Sequence, residues 1–112
     1  MAAETIDRAA FAELQASAGA DFVVELVDTF LEEAPRMLDE LRATAAAGRA
    51  DAFRRAAHSL KSNANTFGAT ALGAMARDLE LNGLPAGEGG AIDALAQEYA
   101  RVAARLAELR GG

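Results

Sequence analysis

The 112-residue chain contains no cysteine, which excludes disulfides and thiolate metal centres. Its single histidine is too few for a multi-histidine metal site. Tryptophan is absent and proline occurs only twice. Positive charge is also short, with 11 Lys and Arg against 17 Asp and Glu, a net charge of −6 and a pI near 4.7. That balance argues against non-specific binding to nucleic acid or to an anionic membrane. No apolar run approaches the roughly 20 residues that span a bilayer. The first residues, Met1 to Arg8, carry Glu4 and Asp7 without a hydrophobic centre and do not read as a signal peptide. A soluble, cytoplasmic protein is the expectation. Val and Ile are sparse, and no stretch alternates apolar and polar residues as a half-buried strand would.

What is abundant is alanine, with leucine, glutamate and arginine, all strong helix formers. Their spacing predicts five helices. The first covers about Asp7 to Ser17, with Thr5 placed as its N-cap, Ala10, Phe11 and Leu14 on one side, and Gly19 at its end. The second covers about Asp21 to Ala47. Val23, Val27, Phe30, Ala34, Met37 and Leu41 recur at helical spacing, Leu26 and Leu38 widen the stripe, and acidic and basic residues fill the opposite arc. Pro35 lies inside this pattern and predicts a kink, because the stripe continues in phase beyond it. Gly48 is the predicted stop. The third helix runs from about Asp51 to Phe67 with Gly68 after it, and the fourth from Thr70, read as an N-cap, to about Asn82, with Leu72, Met75, Ala76 and Leu79 inward. Asn82 to Gly90 is glycine-rich and reads as a linker. Ile92, Leu95, Tyr99, Val102, Leu106 and Leu109 mark a fifth helix from about Ala91 to Arg110, with Gly111 and Gly112 as a frayed end. Short connections between amphipathic helices make them antiparallel neighbours. The predicted fold is all-α: an up-down antiparallel four-helix bundle over about residues 21–110, with a short extra N-terminal helix, in one domain of residues 1–112.

The third helix concentrates the chemistry. At about 100° per residue, Phe53, Ala57, Leu60, Ala64 and Phe67 fall together as the core face. Arg54, His58, Lys61, Ser62 and Asn65 form a second stripe, predicted to point away from the core, and Arg55 flanks it. The only histidine is thus outward and surrounded by cations in an acidic protein. Cations disfavour the protonated ring, preserve a nucleophilic lone pair, and stabilise negative charge on a transferring phosphoryl group. An exposed histidine on a solvated helix face is the ordinary alternative, and wheel geometry alone leaves both readings open.

The segment Ala57-His58-Ser59-Leu60-Lys61-Ser62-Asn63-Ala64-Asn65-Thr66-Phe67-Gly68-Ala69 resembles the signature of histidine phosphotransfer (HPt) domains. That signature runs Ala-His-Ser/Thr-Leu-Lys-Gly, then small polar residues, an apolar residue, Gly-Ala and a Leu. His58, Leu60, Lys61, Phe67, Gly68, Ala69 and Leu72 match it, and Ser62 stands where the family often has Gly. Ile6-Asp7, Phe30 to Pro35 and Leu79-Glu80 extend the similarity along the chain. The resemblance implies a four-helix bundle that accepts a phosphoryl group on His58 from the aspartyl phosphate of a receiver domain and passes it to another receiver. It implies that Lys61 steadies the phosphoryl oxygens and that Ser62 or Asn65 supports them.

Such a protein is a phosphocarrier rather than an enzyme with its own ATP site. No Walker-type loop or kinase glycine motif is present in the sequence. The Mg²⁺ of transfer would be held by the receiver's carboxylates, so no cofactor is expected on this chain. The expected partners are response-regulator receiver domains and a hybrid sensor histidine kinase, docking on a monomer over Arg54, Arg55, Leu31 and Gly68. Leu31 enters through the row Val24, Leu31, Leu38 at the edge of the second helix's stripe; it is read as either core or a docking patch.

The alternatives are a non-catalytic helical adaptor and the phospho-accepting domain of a chemotaxis-type kinase cut from a longer chain. The Met1 start and Gly-Gly end favour a free-standing module. A sensor-kinase dimerisation helix fits less well, because Ser59 replaces the acid after His and no Pro follows. Hydrolysis lacks a second nucleophile–base pair. What hydrogen-bonds the other imidazole nitrogen is not legible in the sequence.

Overall fold

The computed structural model describes residues 5–84 and 90–111. Residues 1–4, Gly112 and the 85–89 stretch, on which most of the predicted linker falls, lie outside them. The described residues form α1 (Arg8–Ala18), α2 (Ala20–Ala47), α3 (Ala50–Thr66), α4 (Thr70–Asn82) and α5 (Gly90–Gly111), with no strand among them. No helix of the described residues is long and apolar enough to cross a membrane.

The predicted apolar stripes meet in one core. Val27, Ala34 and Leu41 of α2, Phe53, Ala57, Leu60 and Ala64 of α3, Leu72 and Ala76 of α4, and Leu95, Val102 and Leu106 of α5 are all fully buried. Each buried Leu, Val or Phe contributes about 1.5–3 kcal/mol relative to exposure. α3 packs on α2 and α4, α5 packs on α2 and α4, and α1 packs on α2. Side-chain pairs give the directions. Arg42 reaches Asp93 at 2.8 Å and Arg110 reaches Asp28 at 2.7 Å, so α5 runs antiparallel to α2. Phe30 lies 5.3 Å from Phe67, ring centre to ring centre, which sets the first half of α2 beside the end of α3.

Several sequence expectations are corrected in detail. The N-cap of α1 is Asp7, not Thr5: the Asp7 carboxylate accepts from the Ala9 and Ala10 amides at 3.0 and 3.3 Å. Thr70 is the first residue of α4, and Ala69 occupies its cap position with no side-chain cap bond. Gly111 belongs to α5 rather than to a frayed end. Between Pro35 and Leu41 the buried residue of the α2 stripe is Leu38, while Met37 is half-buried.

Pro35 does not end the helix, which is continuous across it. Proline has no N–H to donate to the carbonyl four residues back, that of Leu31. The Tyr99 hydroxyl from α5 approaches this carbonyl at 3.5 Å, a long contact on the acceptor that proline leaves without its helical donor. Burial raises the Tyr99 phenol above its ordinary value of 10.0, so it remains a donor throughout the neutral range.

Two glycine turns set the helix connections. After α2, Gly48 has φ 69°, and the Arg49 amide bonds to the Thr44 carbonyl at 2.9 Å. After α3, Gly68 has φ 81°, with Gly68 N–H on the Asn65 carbonyl at 3.1 Å and Ala69 N–H on the Ala64 carbonyl at 2.9 Å. Both follow the Schellman pattern, in which a left-handed residue lets the chain satisfy the last helix carbonyls. They differ in surroundings. A Cβ on Gly48 would meet nothing within 4 Å, whereas one on Gly68 would lie 2.9 Å from the Asp7 carbonyl oxygen and 3.0 Å from Ala10 Cβ. The Gly68 carbonyl also accepts the Asp7 amide at 2.8 Å. Gly68 therefore seats the N-terminal segment on the α3–α4 turn.

The two positions predict a graded outcome. Gly48→Ala carries only left-handed strain and lowers stability by about 1–2 kcal/mol. Gly68→Ala adds overlap with Asp7 and lowers it further. Urea unfolding midpoints of the two variants give the comparison.

Candidate functional site

The site lies where α3 and α4 run side by side. The Schellman turn at Gly68 reverses the chain within a few residues, so the two helices are antiparallel in one register. A Cβ built on Gly83 would meet Arg54, and one built on Gly73 would meet Asn65. Between these two points Glu80 reaches His58 and Lys61. The stripe of Arg54, His58, Lys61 and Asn65 thus leans over α4 instead of pointing straight away from the core, as the wheel alone predicts.

His58 stands in the middle of α3 with its side chain 58% exposed. Its Nδ1 lies 2.9 Å from Glu80 Oε2. The other Glu80 oxygen, Oε1, accepts from Lys61 Nζ at 2.7 Å. The Lys61 and Glu80 side chains are each 24% exposed. One carboxylate thus bridges the imidazole and the ammonium. A carboxylate in its ionised form only accepts hydrogen bonds, so in the neutral ring the proton belongs on Nδ1 and the lone pair on Nε2. The bond also fixes the ring orientation, as a carboxylate does in a Ser-His-Asp triad.

Glu80 is suited to this. The hydrogen bond from Lys61 holds its carboxyl below the ordinary value of 4.5; partial burial opposes that shift, and the His58 contact adds to it. The surroundings of His58 are therefore not purely cationic, as the stripe read by itself implies: its nearest charge is negative and comes from another helix.

The other sequence-predicted residues are distributed unevenly. Ser62 is exposed one turn beyond His58, and its main-chain carbonyl accepts from the Thr66 hydroxyl at 2.9 Å. Asn65 is two turns away, about 10 Å of helix rise, and its side chain covers Gly73. Arg54 is 54% exposed, lies over Gly83 and approaches Asp51 at 3.9 Å. Arg55 is exposed on the solvent side of α3 and lines a shallow depression with Arg49 and Asp51.

Two expected docking residues do not form part of this surface. Gly68 is buried against Asp7 and Ala10. Leu31 is half-buried on the arc of α2 that turns to α5. Asp28 and Arg42 of that same arc pair with Arg110 and Asp93, and the Leu31 carbonyl faces Tyr99. Leu38, from the same row, is buried. The row lies along the α2–α5 seam, with Val24 and Leu31 only partly covered.

Glu80 is the residue that sequence reasoning missed as part of the site. Its signal was present but weak. On a helical wheel Gly73 and Glu80 share a stripe beside the inward stripe of Leu72, Ala76 and Leu79. Which helix that stripe meets depends on the register of α3 and α4.

A protein-family model described as the Hpt domain matches residues 25–110. No curated protein and no solved structure matches the chain.

The bridging geometry gives a titration prediction. The ¹³C signal of the Glu80 carboxyl titrates with a midpoint below 4.5, and Lys61→Met raises that midpoint by removing the largest lowering cause. Because the folded value is depressed, the stability from this contact is complete above the ordinary carboxylate value. It is lost as pH falls through the lowered one. Urea midpoints measured from neutral to acid pH check the sign.

Proposed function

The chain belongs to the Hpt domain family, whose members take part in phosphotransfer within His–Asp phosphorelays, and from that premise we propose that it shuttles a phosphoryl group between receiver aspartates on His58. The observation that carries the assignment is the Glu80–Nδ1 contact, which leaves Nε2 free on an exposed ring. In transfer, the Nε2 lone pair forms the N–P bond as the P–O bond to the receiver's aspartate breaks, and the electron pair leaves on that carboxylate. The Nδ1 proton stays on the ring, donated to the Glu80 carboxylate. The ring gains positive charge as the bond forms, and the Glu80 carboxylate compensates it. Keeping that proton also makes the phosphorylated imidazole a good leaving group for the next receiver.

Lys61 is the residue proposed to steady the phosphoryl oxygens, with Ser62 beside it, and Asn65 only as an outer, more remote support. Arg54 and Arg55 are proposed to steer the acidic pocket of a receiver. The Mg²⁺ of the reaction belongs to the receiver's carboxylates in this reading, and the chain itself uses no cofactor or ATP site. It acts as a phosphocarrier of one domain, residues 1–112, working as a cytoplasmic monomer between receiver domains and a hybrid sensor kinase. The proposed architecture is the up-down four-helix bundle of α2 to α5 with α1 packed across it. The α2–α5 ion pairs, the Phe30–Phe67 contact and the α3–α4 register support that arrangement.

Incubation with phosphorylated receiver domains is expected to place acid-labile, alkali-stable phosphate on the protein. His58→Gln abolishes the label while the circular dichroism spectrum and thermal midpoint stay unchanged, because the ring is exposed. Lys61→Ala slows labelling about 100-fold, the scale of losing one donor to a developing anion. Label on the His58→Gln variant would overturn the site.

A further inference from the structure

The charge balance of the site leaves a phosphoryl group undercompensated. Lys61 is held by Glu80 at 2.7 Å, so with a neutral ring the His58–Lys61–Glu80 set carries no net charge. A phosphoryl group brings roughly −1.5 to −2 near neutral pH. Arg54, one turn before His58, lies over Gly83 and toward Asp51. Arg55 turns to the solvent side, where Arg49 and Asp51 flank it. A further cation has to come from elsewhere.

α4 carries one in the right place. Gly73 and Glu80 both face α3, the first under Asn65 and the second against His58 and Lys61. Arg77 is four residues after Gly73 and three before Glu80, which puts it on the same side of α4. The wheel angle of Arg77 lies between this α3-facing line and that of Leu81, which is 63% exposed. In the antiparallel register Arg77 stands opposite Lys61, three residues, or about 4.5 Å of helix rise, from the level of His58.

Arg77 is exposed, and among the described residues no carboxylate lies within ion-pair distance of its guanidinium. Its (i, i+3) carboxylate, Glu80, is already occupied by His58 and Lys61. A guanidinium presents several donors in a planar fork that matches phosphate oxygens.

We propose that Arg77 is a second phosphoryl-binding cation of this site beside Lys61, folding over the α3–α4 groove to contact the phosphoryl oxygens on His58 Nε2. The inference rests on the carrier reading of His58, and it assigns a residue from α4 to the phosphorylated state. Glu80 then sets the ring before transfer, Lys61 meets the phosphoryl oxygens, and Arg77 adds the charge that Lys61, paired with Glu80, leaves short.

The test uses phosphoramidate, a small phosphoryl donor that needs no protein docking. Arg77→Gln is expected to slow labelling of His58 about fivefold, the scale of a solvent-exposed charge contact, and Arg77→Lys to restore part of the rate, by its charge without the planar fork. The Arg77 Nε–H resonance of the wild-type chain is expected to shift on phosphorylation and to stay in place in His58→Gln treated identically. Labelling of Arg77→Gln at the wild-type rate overturns the proposal, and so does a loss confined to transfer from receiver domains, which would make Arg77 a steering residue. An unmoved Nε–H resonance overturns it as well. If phosphoramidate labelling depends on Arg77 while no receiver donates to or accepts from His58, the relay reading fails and the Arg77 assignment stands.

Discussion

The register between α3 and α4 is the constraint on which the site depends, and the turn at Gly68 sets it. A residue at φ 81° lets Ala69 bond back to the Ala64 carbonyl while Gly68 bonds to that of Asn65. The chain then re-enters a helix at Thr70. From that turn outward, Asn65 covers Gly73, Lys61 and His58 meet Glu80, and Arg54 covers Gly83. A shift of one residue along α4 would rotate Glu80 by about 100° away from the imidazole. The same glycine receives the Asp7 amide, so the N-terminal segment is anchored to the element that aligns the site.

The chemistry follows from partial burial. A fully exposed carboxylate would exchange partners with water, and an ion pair of that kind contributes little. Here both Glu80 and Lys61 are about three-quarters covered, while His58 projects beyond them. The covered pair holds one ring nitrogen, and the exposed ring offers the other. Orientation and access are divided between two helices, which lets an imidazole be both fixed and reachable. The acidic character of the chain is compatible with this because Arg54, Lys61 and Arg77 lie along the α3–α4 groove.

Much of the fold was legible in the amino-acid order. The 3.6-residue recurrence of apolar side chains located all five helices, and Phe53, Ala57, Leu60, Ala64 and Phe67 are all buried as their wheel predicts. Errors fell where two residues compete on local grounds. Thr5 and Asp7 are both good caps, and Asp7 is the one whose backbone also docks on Gly68. Met37 and Leu38 sit on opposite edges of one stripe, and the side facing α5 is the better covered. Leu31 stayed open between core and docking patch because part of its environment belongs to α5, far away in the chain.

The sequence by itself determined that His58 is outward, mid-helix and followed by Lys61, because helix periodicity is a local property of the chain. It also carried the signature that ties these residues to the Hpt family. Only the tertiary structure decided which carboxylate holds Nδ1, which residues of α2 face α5, and that Gly68 is a packing joint. Those outcomes depend on the register and rotation of one helix against another. Register is set by a turn and by the summed fit of a whole interface, and no single residue or spacing reveals it.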